Sequence, residues 1–372
     1  SENEEQGQTE QSRQTVAEEN DAEQAKTAGN LEVHFIDVGQ GDATLIKCDG
    51  HSMLIDAGNN DKGTLVQNYL QHQGVETLDY VIGTHPDADH IGGMDVVLYK
   101  FDCKTIIMPD VANNTRTYDD VVQTMKNKGY KTTYPVVGET YTIGGAAFTI
   151  IAPNKEYGND MNSWSVGVLL QNGNHRFLFT GDAEEGAEQD ILQNGIDISA
   201  DVYKVAHHGS NTATSQAFLD AVHPTYAVIS AGEGNSYGHP HAEVLNRLRA
   251  AGVSVFRTDE QGTIVAASDG TTLTWNMSPS ESWQAGEAEK SQNTEKSEKA
   301  ADNQNNAETD AAVSNPTDQT DGNSDVIVHI TKTGEKYHSA GCQYLRQSDI
   351  EVTLSEAKAK GLTPCSKCNP PQ

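Results

Sequence analysis

The segment THPDADHIGG, residues 84–93, constrains this chain more than any other. It directly follows the apolar stretch LDYVIG and presents two imidazoles and two carboxylates within six residues. Packing these side chains together away from water would be costly without a cation, and neutral imidazole and carboxylate are natural ligands of divalent metals. An exposed polar turn is the alternative, but the preceding strand and the following glycines favour a metal site. The candidate ligands are His85, Asp87, Asp89 and His90.

The rest of the chain indicates a mixed α/β domain flanked by polar segments. Residues 1–30 and 277–325 contain few large apolar residues and are predicted to be a disordered acidic tail and a disordered linker. Between them, residues 31–276 intersperse short apolar strands with helices that stop at glycines such as Gly74. Residues 326–372 form a 47-residue module. A module of this size is too small for a comfortable core, which predicts a stabilising metal.

Charge and hydropathy limit the classes of function. The net charge is −29, of which residues 31–276 contribute −17, whereas residues 326–372 carry +2. An acidic domain repels polyanions unless basic residues cluster locally, which argues against a nucleic-acid substrate. No apolar run approaches the roughly 20 residues of a membrane-spanning helix. The polar start at Ser1 leads us to expect a secreted or surface-anchored protein from which a signal was removed, with a cytoplasmic location left open.

The segment HPDADHIGG resembles the HxHxDH signature of the metallo-β-lactamase superfamily, in the form typical of the DNase-like domain of ComEC-type competence proteins. Further matches along residues 31–276 are FIDVGQGDA, LIDAG, FLFTGD, KVAHHGS and SYGHPHAEVL. The resemblance implies an αββα sandwich and a hydrolase that uses a hydroxide activated by two divalent metals, zinc or manganese. The metal ligands that it implies are His85, Asp87, Asp89, His90, Asp182 and His207.

Two departures from the superfamily pattern bear on the metals. Asp87 stands where a second histidine is usual, and no histidine occupies the usual place before Asp182. The matching place there is NSWS, residues 162–165. The first metal site would therefore be harder and weaker, which favours Mn²⁺ or a labile Zn²⁺. In KVAHHGS either His207 or His208 could be the last ligand, and we favour His207, although the pair could also be structural.

Other residues are expected to act around the metals. Asp89 could also orient the attacking hydroxide, and His239 and His241 are candidates for protonating the leaving group, unless their loop only caps the following helix. Lys204 and Ser210 are candidate phosphate contacts. Side chains expected to support the ligands are Gln40, Asp42, Asp56, Asn162, Ser165 and His208.

The C-terminal module carries the spacing H-x₃-C followed later by C-x₂-C. Three thiolates and one imidazole make a closed structural zinc site, and the pattern resembles the Ada-type zinc-binding motif. A redox pair or disulfide within C-x₂-C is the alternative. The remaining cysteines, Cys48 and Cys103, lie beside apolar residues and are predicted to be buried thiols. The predicted zinc ligands are His338, Cys342, Cys365 and Cys368.

Three functions are compatible with these features. The preferred one is a phosphodiesterase or DNase acting on DNA or on a small phosphodiester, and the acidic core makes the small substrate the easier of the two. The second is an ester, lactone or phosphorylcholine-type hydrolase on the same metal centre, since one fold hosts many chemistries. The missing histidine argues against a β-lactamase. The third is a non-catalytic secreted binding protein, against which the intact ligand set argues.

Overall fold

The computed structural model describes residues 28–286, 327–331, 336–338, 345, 350–359 and 362–365. The chain divides into two compact units, residues 1–291 and 292–372. No helix among the described residues is both long and apolar enough to span a bilayer.

Short strands and helices alternate along the first unit. Its strands are β1 (Leu31–Phe35), β2 (Thr44–Cys48), β3 (His51–Ile55), β4 (Thr77–Ile82), β5 (Asp102–Ile107), β6 (Thr132–Thr133), β7 (Thr140–Ile143), β8 (Ala146–Ala152), β9 (Gly167–Asn172), β10 (His175–Phe179), β11 (Val202–Lys204), β12 (Tyr226–Ile229), β13 (Ser254–Arg257), β14 (Ile264–Ser268) and β15 (Leu273–Trp275). Its α-helices are α1 (Gly63–His72), α2 (Ala88–Ile91), α3 (Met94–Lys100), α4 (Arg116–Lys128), α5 (Glu185–Gln193), α6 (Gln216–Val222), α7 (Ala242–Ala250) and α8 (Thr258–Gln261). Single 3₁₀ turns span Asn162–Trp164 and Ala206–Gly209.

Two sheets form the centre of this unit. In the first, the strand order is β15-β14-β1-β2-β3-β4-β5-β6, and in the second it is β13-β12-β11-β10-β9-β8-β7. The run β3-β4-β5-β6 is parallel, as is the run β10-β11-β12-β13, while the hairpin strands beside them are antiparallel. The carboxyl ends of the parallel strands in each sheet therefore lie along one edge, where loops can collect functional side chains.

Three layers of apolar side chains hold the sheets and helices together. The central layer lies between the two sheets and includes Phe35, Phe148 and Phe179. A second layer packs α1, α3 and α4 on the first sheet through residues such as Leu70, and a third packs α5, α6 and α7 on the second sheet through residues such as Leu245. The predicted αββα sandwich is therefore confirmed.

Local sequence signals account for several element boundaries. Helix α4 begins after Thr115, whose hydroxyl accepts the backbone N–H of Tyr118, and ends at Gly129 with φ of 73°. Residues with a side chain rarely adopt this φ, whereas glycine adopts it at little cost in free energy. Gly129 is therefore well suited to end the helix. Cys48 and Cys103 are buried thiols, as the sequence predicts.

Residues 277–286, which the sequence places in the linker, lie against the sandwich. Met277 packs on the layer between the sheets. Trp283 packs on the layer beneath α5, α6 and α7, and the backbone N–H of Gly286 donates to Pro240 O. The ordered chain of the first unit thus extends about ten residues beyond the boundary at Asn276 that the composition suggests.

The described residues of the second unit form a small mixed sheet. Its strands are β16 (Ile327–Ile330), β17 (Lys336–His338), β18 (Ile350–Thr353) and β19 (Thr363–Pro364), in the order β18-β16-β17-β19, and its helix is α9 (Leu354–Ala359). Val328, Tyr337, Leu354 and Ala357 form its apolar cluster together with Ile330. Of the predicted zinc ligands, Cys342 and Cys368 lie outside the described residues.

Candidate metal centre

The predicted ligands come together where strands of both sheets end. The segment from His85 to His90 follows β4, Asp182 follows β10, and His207 and His208 follow β11. Backbone hydrogen bonds fix the first of these segments: the N–H of Asp42 donates to Asp89 O at 3.1 Å, and the N–H of Ala57 donates to His90 O at 2.7 Å. The loops after β1 and β3 thereby hold the ligand segment in place.

His90 is held between two carboxylates. Its Nδ1 donates to Asp56 Oδ2 at 2.8 Å, and its Nε2 lies 3.1 Å from Asp182 Oδ1. Asp56 is itself fixed by Thr84, whose N–H and hydroxyl both donate to its carboxylate, at 2.8 and 2.7 Å. Asp56 thus orients the ring and directs its Nε2 at Asp182.

His208 repeats this arrangement from the opposite side. Its Nδ1 donates to Ser230 O at 3.0 Å and lies 3.3 Å from Asp42 Oδ1. Its Nε2 lies 3.2 Å from Asp89 Oδ2 and 3.5 Å from Asp182 Oδ2. Ligand atoms of Asp42, His90, Asp182 and His208 fall within 4.8 Å of one another. Since Asp42 faces Nδ1, it orients this ring, while Asp89 and Asp182 share the Nε2 side.

His85 and Asp87 border the cluster on the side of Asp182. His85 Nε2 lies 3.7 Å from Asp87 Oδ2 and 4.0 Å from Asp182 Oδ2. Its Nδ1 contacts Ser165 Oγ at 3.3 Å, and the same hydroxyl accepts the N–H of Asp182 at 3.0 Å. Ser165 thus connects the ring of His85 to the backbone of Asp182. Asp87 is held by Asn113, whose Nδ2 donates to Oδ1 at 3.3 Å.

The unpartnered atoms of this cluster fit a metal centre. Burying a polar atom without a partner costs free energy, so such atoms are few and indicate what a site binds. Among the described residues, several buried polar atoms without a hydrogen-bond partner lie in this cluster, and each of them faces a carboxylate or an imidazole of another residue. They are Asp42 Oδ1, His85 Nε2, His90 Nε2, Asp182 Oδ1 and His208 Nε2. Imidazole nitrogen and carboxylate oxygen together form a donor set suited to divalent zinc or manganese.

The electrostatics also favour bound positive charge. Burial lowers the pKa of His208, but the carboxylates of Asp182 and Asp42 outweigh it and hold that pKa well above its usual value. Asp182 and Asp56 do the same for His90. His85 differs, because burial and the neighbouring His90 lower its pKa to about 3. A group of carboxylates that draws protons onto two buried imidazoles is a group that a divalent cation would stabilise.

The two adjacent histidines after β11 have different surroundings. Both occupy the left-handed region, with φ of 49° for His207 and 54° for His208, a conformation that costs free energy and often occurs at functional sites. The side chain of His208 is 1% exposed and that of His207 is 21% exposed. His207 Nε2 lies 3.7 Å from Asp182 Oδ2, while its Nδ1 faces Glu184 Oε1 at 3.3 Å. Both rings reach the central carboxylate, and His208 does so from the buried side.

A cavity of about 160 Å³ opens above the cluster. His239 lines it, and Gln40 Nε2 lies 3.4 Å from its Nδ1, while Gln40 Oε1 accepts the N–H of Gly232. Burial and His208 lower the pKa of His239 to about 4, so its ring is neutral at pH 7. Tyr237 stacks on this ring with centroids 5.5 Å apart and is 63% exposed at the rim. None of the described lining residues is a lysine or an arginine.

Three of the predicted catalytic residues do not line this cavity. Lys204 is buried, and its Nζ donates to Asp42 Oδ2 at 2.8 Å. Ser210 Oγ pairs with Thr212 Oγ1 at 3.0 Å. His241 accepts the N–H of Asn211 at 2.9 Å, and its Nε2 contacts Tyr237 O. In this structure Lys204 neutralises Asp42, and Ser210 and His241 shape the loops around the site.

Sequence reasoning missed several residues that contact the site. Asn113 holds Asp87 and Glu184 holds His207. Glu184 Oε1 also accepts from Asn162, a cavity-lining residue that the sequence analysis did name, at 3.2 Å. Tyr237 stands within the SYGHPH segment and could have been found through its neighbours. Asn113 lies in a loop without a local signal, and only the fold brings it to Asp87.

Comparisons with known proteins agree with this geometry. A family model described as the metallo-β-lactamase superfamily matches residues 36–233. The ComE operon protein 3 of Bacillus subtilis is 31% identical over 255 residues, which cover 63% of this chain and 32% of that protein. Recombination protein 2 of Haemophilus influenzae is 33% identical over 238 residues, which cover 63% of this chain and 28% of that protein. Competence protein ComA of Neisseria gonorrhoeae is 29% identical over 230 residues, covering 61% and 31% respectively. The chain thus spans about a third of the length of these relatives.

Proposed function

This chain belongs to the metallo-β-lactamase superfamily, and we propose that it is a metal-dependent phosphodiesterase that cleaves DNA or a small phosphodiester. The observation that carries the proposal is the convergence of buried, unpartnered imidazole and carboxylate atoms on Asp182 at the floor of an open cavity. Membership of the superfamily supports metal-dependent hydrolysis in general, and we propose a phosphodiester as the bond that is cleaved.

Two groups of residues would hold the metals, with Asp182 common to both. His85 and Asp87 supply one nitrogen and one carboxylate beside it. Asp89, His90 and His208 supply the other group, and we choose His208 over His207 because its buried Nε2 faces two carboxylates. Two bound divalent metals supply an activated water and positive charge for a phosphoryl centre. The oxygen-rich first group favours Mn²⁺ or a labile Zn²⁺.

The chain's own residues prepare the site for this chemistry. Gln40 directs its Nε2 at His239 Nδ1, because its carbonyl oxygen is occupied by the N–H of Gly232. The proton of His239 is then on Nε2, where the neutral ring can donate a hydrogen bond to a phosphoryl or leaving oxygen. Since the pKa of His239 is lowered to about 4, it acts at neutral pH as a hydrogen-bond donor and not as an imidazolium acid.

Two features favour a phosphodiester over a carboxylic ester or lactone. The relatives are named for competence and recombination, and both names concern DNA, a polymer of phosphodiesters. The cavity is lined by polar and ionisable side chains, including Asn162, Tyr237 and His239, and offers no apolar wall for an acyl chain. The absence of lysine and arginine from the described lining leaves phosphate recognition to the metals and to His239.

The experiment compares the metal-stripped chain with the chain reloaded with Mn²⁺ or Zn²⁺. The substrates are bis-p-nitrophenyl phosphate, linear DNA and single-stranded DNA. We expect metal-dependent cleavage that Asp182→Ala reduces by at least about 100-fold, because that carboxylate serves both metals. The matched control is Asp220→Ala, which removes an exposed carboxylate on α6. Without cleavage of any phosphodiester under either metal, the proposal fails and ester or lactone substrates become the next to test. If Asp182→Ala left every hydrolytic activity unchanged, the metal site would not be catalytic, and the role of a binding protein would be favoured.

We further propose that His338, Cys342, Cys365 and Cys368 hold one structural zinc ion in the second unit. Two of these lie close together among the described residues: His338 ends β17, and Cys365 directly follows the neighbouring strand β19, with its N–H donating to Tyr337 O at 2.9 Å. Both side chains are buried. Three thiolates with one imidazole form a closed tetrahedral set, which stabilises small units with few apolar residues.

A further inference from the structure

Tyr237 is a largely exposed aromatic residue at the rim of the metal cavity. It lines the cavity together with His239, yet 63% of its surface is open to water. An aromatic ring stabilises a fold mainly by being buried, so a ring in this position contributes little to stability. Tyr99 and Tyr134 are also exposed, but neither of them lines the cavity. The place of Tyr237 is therefore better explained by what the cavity binds.

The ring of Tyr237 is the outermost of three roughly parallel rings. The centroids of His208 and His239 are 6.1 Å apart with 29° between the planes, and those of His239 and Tyr237 are 5.5 Å apart with 17° between the planes. The series begins with a buried histidine of the metal cluster and ends in water. Since His239 covers one face of Tyr237, the open face is the outer one. An aromatic group that stacked there would extend the series by one ring.

Hydrogen bonds from the buried side chain of Asn235 hold this arrangement in place. Its Oδ1 accepts the backbone N–H groups of Tyr237 and His239, at 3.2 and 3.0 Å. Its Nδ2 donates to Gly232 O and His239 O, at 2.8 and 2.7 Å. The loop of residues 232–239 is thus fixed from within. A ring on a fixed loop loses little conformational freedom when a ligand stacks on it, which favours binding.

We propose that Tyr237 is a specificity-determining residue, on which a nucleobase of the substrate stacks while the adjoining phosphate lies in the metal cavity. This inference rests on the proposed function and narrows it from phosphodiesters in general to those of nucleotides. Every base has a π face, so stacking on an aromatic side chain tolerates any sequence. Tyr237 would therefore favour nucleotides without selecting one base.

Recognition through the base suits the electrostatics of this cavity. Its described lining contains no lysine or arginine, and residues 31–276 carry a net charge of −17. Phosphates outside the metal site would find little attraction in such surroundings. Stacking depends on ring contact and area, so an acidic domain does not oppose it. A base on Tyr237 would thus supply affinity that further phosphate contacts cannot supply here.

Shielding of His239 is the other role that this geometry allows Tyr237. By covering one face of that ring, Tyr237 keeps water from it, and burial lowers the pKa of His239. Shielding would affect every substrate alike, because His239 would meet each of them at the phosphoryl group. Stacking would affect only a substrate that carries a base. Two phosphates that differ only in the nucleoside therefore distinguish these roles.

The test measures how tightly the Mn²⁺-loaded full chain binds thymidine 5′-monophosphate and methyl phosphate, by isothermal titration calorimetry. We expect the unaltered chain to bind the nucleotide at least about fivefold more tightly, the lower end of what stacking on one aromatic ring contributes. Tyr237→Ala should bring the ratio of the two affinities close to one. Tyr237→Phe should keep the ratio, because the ring is retained. Tyr99→Ala is the matched control and should also keep it, since Tyr99 is 64% exposed and lies outside the cavity lining.

Three results of the titration would overturn the role of Tyr237. The first is equal affinity of the unaltered chain for the two phosphates. The second is a preference for the nucleotide that Tyr237→Ala retains. The third is a loss of affinity in Tyr237→Ala by the same factor for both phosphates, which would assign the ring to the shielding of His239.

Steady-state kinetics separate this inference from the proposed function. The substrates are the p-nitrophenyl esters of thymidine 5′-monophosphate and of methyl phosphate, which release the same leaving group. Cleavage of neither ester, together with a binding preference that depends on Tyr237, supports the stacking role and rejects the proposed function. Cleavage of both esters with the same ratio of kcat/KM values in Tyr237→Ala as in the unaltered chain supports the proposed function and overturns the stacking role.

Discussion

Two histidines of the metal cluster are each oriented by a carboxylate on the far side of the ring. Asp56 accepts from Nδ1 of His90, and Asp42, itself paired with Lys204, lies against Nδ1 of His208. A carboxylate behind an imidazole fixes its tautomer and makes its other nitrogen a better ligand. We therefore expect Asp56 and Asp42 to strengthen metal binding by orienting the two imidazoles.

Replacing Asp56 with alanine should weaken metal binding, although every side chain proposed to contact a metal is still present. We expect the affinity for Mn²⁺ or Zn²⁺ to fall about 10- to 100-fold, the usual effect of removing such a partner. Isothermal titration of the metal-stripped full chain measures it. Asp79→Ala is the control, because Asp79 lies on β4 and pairs with Lys104 and His51, away from the cluster. Equal affinity in Asp56→Ala and the unaltered chain would contradict the role given to Asp56.

At this scale, local motifs predict ligands well and their supporting contacts poorly. His85, Asp87, Asp89 and His90 stand within six residues, so the chemistry is visible before any fold is known. The pair between Lys204 and Asp42 joins residues 162 positions apart, and it exists only because β11 and the loop after β1 meet at the same edge. Lys204 therefore looked like a phosphate contact in the sequence.

At the scale of elements, the loop between β1 and β2 is fitted tightly to the ligand segment. Gly41 has φ of 135°, and a Cβ atom there would lie 2.4 Å from the carbonyl oxygen of Asp89. Gly50, in the turn between β2 and β3, also has positive φ, 84°, but open space around it. Both positions thus require a positive φ. Only at Gly41 does the backbone lie so close to the ligand segment that a side chain would collide with it.

Gly41→Ala and Gly50→Ala should therefore differ in their effect on hydrolysis. Both place a side chain at positive φ, at a cost of about 1–2 kcal/mol in unfolding free energy. In Gly41→Ala the added methyl group also displaces Asp89, so we expect hydrolysis of bis-p-nitrophenyl phosphate to fall by at least tenfold. Urea unfolding and initial rates measure the two effects. Loss of hydrolysis to the same extent in Gly50→Ala would show that backbone strain alone is responsible.

Element boundaries follow from sequence where one residue decides them. Gly129 ends α4, in keeping with the expectation that the helices stop at glycines. The 3₁₀ turn that carries His207 and His208 has no such signal. Two consecutive residues at positive φ are there because packing at the end of β11 imposes the conformation. The choice between these two histidines could not be made from the motif for the same reason.

At the scale of the whole molecule, composition gives the net charge of a domain but not where the charged side chains lie or which of them are paired. The net charge of −17 over residues 31–276 argues against a nucleic-acid substrate. It does not reveal that most basic residues described in this range are neutralised by ion pairs, among them the buried pair of Lys204 with Asp42.

The two proposed metal-binding units should be separable by counting metals. We expect the zinc-saturated full chain to hold three zinc ions, of which Cys365→Ser removes one, because thiolate is the stronger zinc ligand and the closed site depends on all four. Elemental analysis after gel filtration gives the count. Hydrolysis of bis-p-nitrophenyl phosphate should be unchanged in this variant, whereas Asp182→Ala should lose both hydrolysis and the metals of the first unit. Cys48→Ser is the matched control, since this buried thiol belongs to the first unit and has no place in either ligand set. A zinc count that stays the same in Cys365→Ser would leave the cysteines of the second unit to a redox or disulfide role.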